Sequence, residues 1–170
     1  MALAEGMAKD DADDAGARNI IIATALTYLA LRKLQLGDLD TGLKHLTQAL
    51  DLFHNHFPAA RLRYKALHAS NSPYPELSSA FDHAVKCYPP VLTNLLPYAV
   101  STELNKDRGK EALSLIKMWA YFITRCTWEA STEPEVPKAT FKSVRALYSK
   151  LPKHLQVALA KRFPAEFGSV

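Results

Sequence analysis

The stretch Ala23–Phe53, ATALTYLALRKLQLGDLDTGLKHLTQALDLF, reads as two helices closing on each other. In its second half, Leu43, Leu46, Ala49, Leu50 and Phe53 follow the i, i+3, i+4, i+7 spacing of a one-sided helix, and Lys44, Gln48 and Asp51 take the outer face. In its first half, Leu26, Leu29 and Leu34 keep helical spacing, but Ile20–Ile22 and Leu29–Leu31 make the segment apolar nearly all round, as in a helix buried on more than one side. Gly37-Asp38 separates the halves: glycine is the usual stop after a helix and aspartate a usual start. The second half returns further on, with Leu46, Ala49 and Leu50 recurring as Phe81, Ala84 and Val85. A period of that length marks a helical-repeat protein, a class that binds other molecules more often than it transforms them.

Outward from this stretch the same reading continues. Helices are predicted over about Arg18–Leu36, Asp40–His54, Ala59–Ala69, Glu76–Tyr88, Val91–Leu104 (kinked or restarted at Pro97), Lys110–Cys126, Ala139–Ser149 and Pro152–Phe163. Asn71-Ser72-Pro73-Tyr74-Pro75 and Asn105–Gly109 are breaks. No alternating run bounded by hairpin turns suggests a sheet. Residues 1–16 are expected to be a flexible acidic tail, 17–126 a helical array, 127–137 a polar linker and 138–170 a basic C-terminal helical cap.

The chain of 170 residues is long enough for a real core, and its 48% hydrophobic content is that of a soluble globular protein. The net charge of +4 is unevenly spread. Glu5, Asp10, Asp11, Asp13 and Asp14 stand near the start against Lys9 alone, while the end is basic. Cys87 and Cys126 lie in apolar helical contexts and read as small hydrophobes, with one disulfide allowed but not required. No signal peptide is expected, since the start lacks a basic flank and a long apolar core. The apolar run Ile20–Leu31 is too short to span a membrane. A cytoplasmic or nuclear location is the resulting expectation.

The segment Ala23–His54 resembles a tetratricopeptide repeat, a helix–turn–helix unit of about thirty-four residues. Leu26 and Leu29 stand where that family places bulky residues early in its first helix. Ala30, Gly42 and Ala49 stand where it places small residues between paired helices, and Leu46 takes the large position of the second helix. A weaker unit covers about Pro58–Pro89 through Leu77, Phe81 and Ala84, its turn replaced by the Asn71–Pro75 loop. A third, about Val91–Phe122, keeps Ala112, Ile116 and Trp119. The alternative is a generic helical bundle. The resemblance implies an all-α fold of stacked antiparallel helix pairs, a right-handed array, closed by C-terminal capping helices.

It also implies a concave groove along the first helix of each pair. Thr24, Thr27, Leu31 and Leu34 would line it from the first unit, and Ala59, Leu62, Ala66 and Ala69 from the second. Such a groove is uncharged and mostly apolar, suits an amphipathic helix, and lacks the Lys and Asn clamp with which some members hold a C-terminal carboxylate. Its occupant is either a partner helix or peptide, or the chain's own C-terminal segment through Phe141, Val144, Leu147 and Tyr148. Trp119 is either core or a second docking point.

Nothing points to catalysis, a metal or a cofactor. There is no phosphate loop or nucleophile elbow. His54-Asn55-His56 would diverge on a helix, and Asp51 alone does not complete a ligand set. The expectation is a non-enzymatic protein-binding module, an adaptor or assembly subunit, able to self-associate through the apolar ends of a short array. The alternative is an RNA- or DNA-binding protein using Lys138, Lys142, Arg145, Lys150, Lys153, Lys161 and Arg162, with a smaller cluster at Arg61, Arg63 and Lys65 near Tyr64. Docking to an acidic protein is a third use of that basic surface.

Overall fold

The computed structural model describes the backbone of residues 2–125 and 135–168, and the side chains from Asp14 onward. Among the described residues the chain is all helical, without strands. It divides into two compact units between Pro89 and Pro90. This differs from the expected array over 17–126, because the third helix pair keeps company with the C-terminal helices. Of the expected linker at 127–137, and of Cys126, residues 126–134 lie outside the described residues.

The first unit holds α1 (Ala2–Gln35), α2 (Leu39–Leu52), α3 (Phe57–Ala69) and α4 (Tyr74–Cys87). Helix α1 packs on α2, α3 packs on α4, and α3 also touches α1 and α2. Close approach of α1 and α2 depends on small residues. Ala23, Ala30 and Ala49 are fully buried, and a Cβ on Gly42 would lie 2.7 Å from Leu34 Cδ2. Leu46 fills the space beside them with no exposure. Helix α1 starts at Ala2, well before the expected Arg18. Alanine-rich sequence extends an existing helix readily, because propagation carries no nucleation cost. At 34 residues α1 is more than twice as long as the 14-residue α2. From Asp14 to Ile22 every side chain but Asn19 is exposed.

The second unit holds α5 (Leu92–Asn105), α6 (Gly109–Arg125), α7 (Lys138–Leu147), α8 (Lys153–Arg162) and α9 (Pro164–Phe167), with short 3-10 turns at Pro89–Val91 and Tyr148–Lys150. Helices α5 and α6 pair, α7 covers α5, α8 covers α6, and α9 folds back on α8. Helix α5 runs through Pro97 without a break. Proline has no N–H for the carbonyl four residues earlier. That carbonyl is Thr93, and the buried hydroxyl of Thr140 on α7 donates to it at 2.7 Å. A helix defect thus becomes an attachment point for the next helix. Trp119 on α6 is fully buried and stacks on Phe163, with ring centroids 6.3 Å apart. It is core, not a docking residue.

The turns closing α1, α3 and α5 share one geometry. Gly37, Asn71 and Asp107 are the only described residues at left-handed φ, at 80°, 55° and 56°. In each case that residue's N–H bonds the carbonyl three back (Leu34, His68, Leu104), and the following N–H bonds the carbonyl five back (Lys33, Leu67, Glu103). The connection at Asn71 is one residue longer than that at Gly37, yet it opens with the same helix stop, because asparagine tolerates the left-handed region glycine uses at 37. Helices α2 and α4 also end alike, the N–H of Phe53 bonding Ala49 and that of Tyr88 bonding Ala84.

Candidate functional site

The Gly37 turn fixes how α1 meets α2. Asp38 accepts a hydrogen bond from the Thr41 N–H at 3.2 Å and pairs with Lys33 at 3.4 Å. The Thr41 bonds, and secondarily Lys33, hold its carboxyl below the ordinary value. The chain then passes α2, turns at Phe53–His56 and lays α3 beside α1. Between α1 and α3 lies a cleft of about 540 Å³, of the size that admits several side chains.

Thr24, Thr27, Tyr28 and Leu31 line it from α1, and Phe57, Pro58, Arg61, Leu62 and Lys65 from α3, with His56 between the helices. Thr24 and Thr27 donate their hydroxyl hydrogens to the carbonyls of Ile20 and Ala23, at 2.8 and 2.7 Å. Their oxygens then face His56, 3.2 Å from Nε2 and 3.4 Å from Nδ1. A neutral imidazole carries one N–H and so satisfies one of these at a time. Burial pushes the His56 pKa below its ordinary value. Lys65 is also shifted down, first by burial and then by the neighbouring Arg61 charge.

Of the groove residues expected from sequence, Thr27, Leu31 and Leu62 line the cleft, as does Thr24. Leu34 instead lies against Gly42. Ala59 and Ala66 are buried between helices, and Ala69 is exposed outside the cleft. The expectation of an uncharged groove is corrected by Arg61 and Lys65. Their signal was legible: positions 61, 62 and 65 share one face of a helix, whereas Arg63 points away and lines a different cleft. For His56 no sequence signal existed, because it sits between helices and its direction comes from their packing.

That other cleft, about 780 Å³ and lined from α2, α3 and α4, includes Asp51, His54, Asp82 and His83. His54 stacks on His83 at 4.3 Å, and His83 Nε2 meets the His54 carbonyl at 2.8 Å. His54 and His56 therefore diverge into separate clefts. No group of metal-ligating residues is assembled among the described residues. Cys87 is a free thiol whose pKa is raised by burial.

Helix α1 also shows an apolar outer face. Ile21, Tyr28 and Leu36 are 68%, 70% and 66% exposed, and Leu29 lies between them. The all-round burial expected of this helix is met on one side only. In the second unit Lys138, Lys142, Arg145, Lys150, Lys153, Lys161 and Arg162 are all exposed. Arg145 is tied to Glu166, through its carboxylate and its carbonyl, and Arg162 lies over the Phe163 ring. The C-terminal face formed by Phe141, Val144, Leu147 and Tyr148 is buried within its own unit, where Phe141 and Tyr148 pack on Phe167. No described helix is long and apolar enough to cross a membrane. The chain matches no family model, and neither a curated protein nor a solved structure matches it.

Proposed function

We propose that this protein is a non-enzymatic binding module of tetratricopeptide-like build, whose cleft between α1 and α3 receives a partner helix or peptide. The observation that carries the reading is the cleft itself, with Leu31, Phe57 and Leu62 presented to solvent on two helices rather than folded into the core. The recurring left-handed turns at Gly37, Asn71 and Asp107 support the repeat build. An adaptor or assembly subunit in the cytoplasm or nucleus is the role this suits. The exposed face of α1 would serve self-association or a second protein contact.

The competing reading is RNA or DNA binding through the exposed C-terminal cations Lys138, Lys142, Arg145, Lys150, Lys153, Lys161 and Arg162. Affinity capture from extract, with and without nuclease, separates the two. Leu31→Asp with Leu62→Asp is expected to lose the captured protein, whereas Lys142→Glu with Arg145→Glu retains it, before and after nuclease. Loss only in the Lys142/Arg145 variant, together with nucleic-acid binding that weakens steeply with salt, makes nucleic acid the ligand.

A further inference from the structure

We infer that the outer face of α1 pairs with α1 of a second copy of this chain, the two helices running antiparallel with Asp14 of each copy beside Arg32 of the other. This commits the exposed face, given above to self-association or a second contact, to one occupant, and it does not depend on the cleft. Asp14, Arg18, Ile21, Ala25, Tyr28 and Arg32 recur along α1 at alternating steps of four and three, and all six are exposed. That is the seam spacing of two helices in coiled-coil contact. Ile22 and Leu29, also exposed, widen one flank of the seam, while Ala23 and Ala30, on the opposite side of the helix, are fully buried.

The charges choose the occupant and its direction. This seam starts on a carboxylate at 14 and ends on a guanidinium at 32, and among the described residues neither is held in an ion pair. Antiparallel packing of two identical seams sets position 14 opposite 32, 18 opposite 28 and 21 opposite 25. Each Asp14 then meets an Arg32, each Arg18 lies over a Tyr28 ring, and each Ile21 fills the space beside an Ala25. Two-fold symmetry makes every one of these contacts twice and brings the two Ile22 side chains together near the axis. A parallel pair would set Asp14 on Asp14 and Arg32 on Arg32, which repels at both ends. A seam that complements its own reverse fits a second copy of itself better than a bilayer, whose anionic headgroups would oppose Asp14. At 1.5 Å per residue the seam is about 27 Å long, a contact at the small end of specific interfaces, so the dimer is weak.

Analytical ultracentrifugation of the full chain reads the association. A monomer–dimer equilibrium with Kd of about 1–100 µM is expected. Asp14→Arg and Arg32→Asp are each expected to weaken it about tenfold or more. Both changes in one chain restore it, and the two single variants mixed together form a heterodimer tighter than either alone. Every substituted position is exposed, so these variants fold as the parent does. Ile21→Glu removes the dimer while leaving capture of a protein through the cleft intact, so dimer and cleft fail separately. A chain that stays monomeric at about 500 µM overturns the proposal; if anionic lipid vesicles then bind it and Ile21→Glu releases it, the face is a membrane contact. Single variants that weaken the dimer without rescue in the double variant overturn the antiparallel register. A dimer that survives both charge reversals and is lost in Leu62→Asp places the second copy in the cleft instead, and overturns the proposal too.

Discussion

The two units begin from the same building block and finish it differently. Helices α1 and α5 each end in the same left-handed turn and pair with the next helix in the chain. In the second unit, α7 and α8 then cover that pair, and an aromatic group of Phe141, Tyr148, Phe163 and Phe167 closes over it. In the first unit the next pair, α3 and α4, leaves a cleft beside α1 and an apolar face on its outside. A covered pair is a core; a pair covered on one side only keeps apolar side chains at the surface. The difference lies in the helices that come after each pair, not in the pair itself.

The largest effect expected is at Trp119, the largest side chain wholly inside the second unit. Trp119→Ala is expected to cost about 3–5 kcal/mol. Hydrogen exchange should lose protection over α5 to α8 while the first unit keeps its own; equal loss in both breaks the comparison. In the first unit, Gly42→Leu drives a side chain into Leu34 and is expected to cost about 1–3 kcal/mol by denaturant unfolding, with exchange rising first across α1 and α2.

Thr140→Val removes the donor to the carbonyl that Pro97 leaves free, a cost of about 1–3 kcal/mol. In the background Pro97→Ala, where the helix supplies its own N–H, the same change is expected to cost less. Additive costs in that double-mutant cycle contradict the role given to Pro97. At the turns, Gly37→Ala is expected to destabilise by about 1 kcal/mol, while Asn71→Gly and Asp107→Gly stabilise by up to about 1 kcal/mol.

The smallest effect is a pH dependence confined to the first unit. His56 is held below its ordinary 6.5 by burial, so the unfolded chain takes up the proton first. Stability contributed by neutral His56 is present above that value and falls as pH drops below it toward the folded pKa. Thermal unfolding followed from pH 8 to 5 is expected to show a decline that His56→Gln reduces. A stability that rises on acidification contradicts the assignment.

Most of the helical layout was legible in the sequence, because the apolar spacing of Leu43–Phe53 or Leu77–Val85 is set by the helix period whatever surrounds it. Boundaries held within a few residues except at the front, where the alanine-rich acidic stretch expected to be a flexible tail is part of α1. The four-residue α9 left no pattern long enough to read. In the candidate site, Thr27, Leu31 and Leu62 line the cleft at positions where the tetratricopeptide resemblance implied a groove, whereas Leu34, Ala66 and Ala69, implied in the same way, do not. His56 was not legible, since a residue in a turn has no face until the flanking helices are placed.

By itself, then, the sequence determined the local terms: helix periods, the glycine stop at 37, the small residues at 30, 42 and 49, and the uneven charge. Tertiary structure alone decided which apolar faces were covered. It buried Phe141 and Val144 in the second unit and left Leu31 and Leu62 beside Arg61 and Lys65 in an open cleft. The physical reason is that burial belongs to pairs of surfaces. A helix carries its apolar stripe in its own sequence, but whether that stripe becomes core or binding face depends on the element that comes to lie on it.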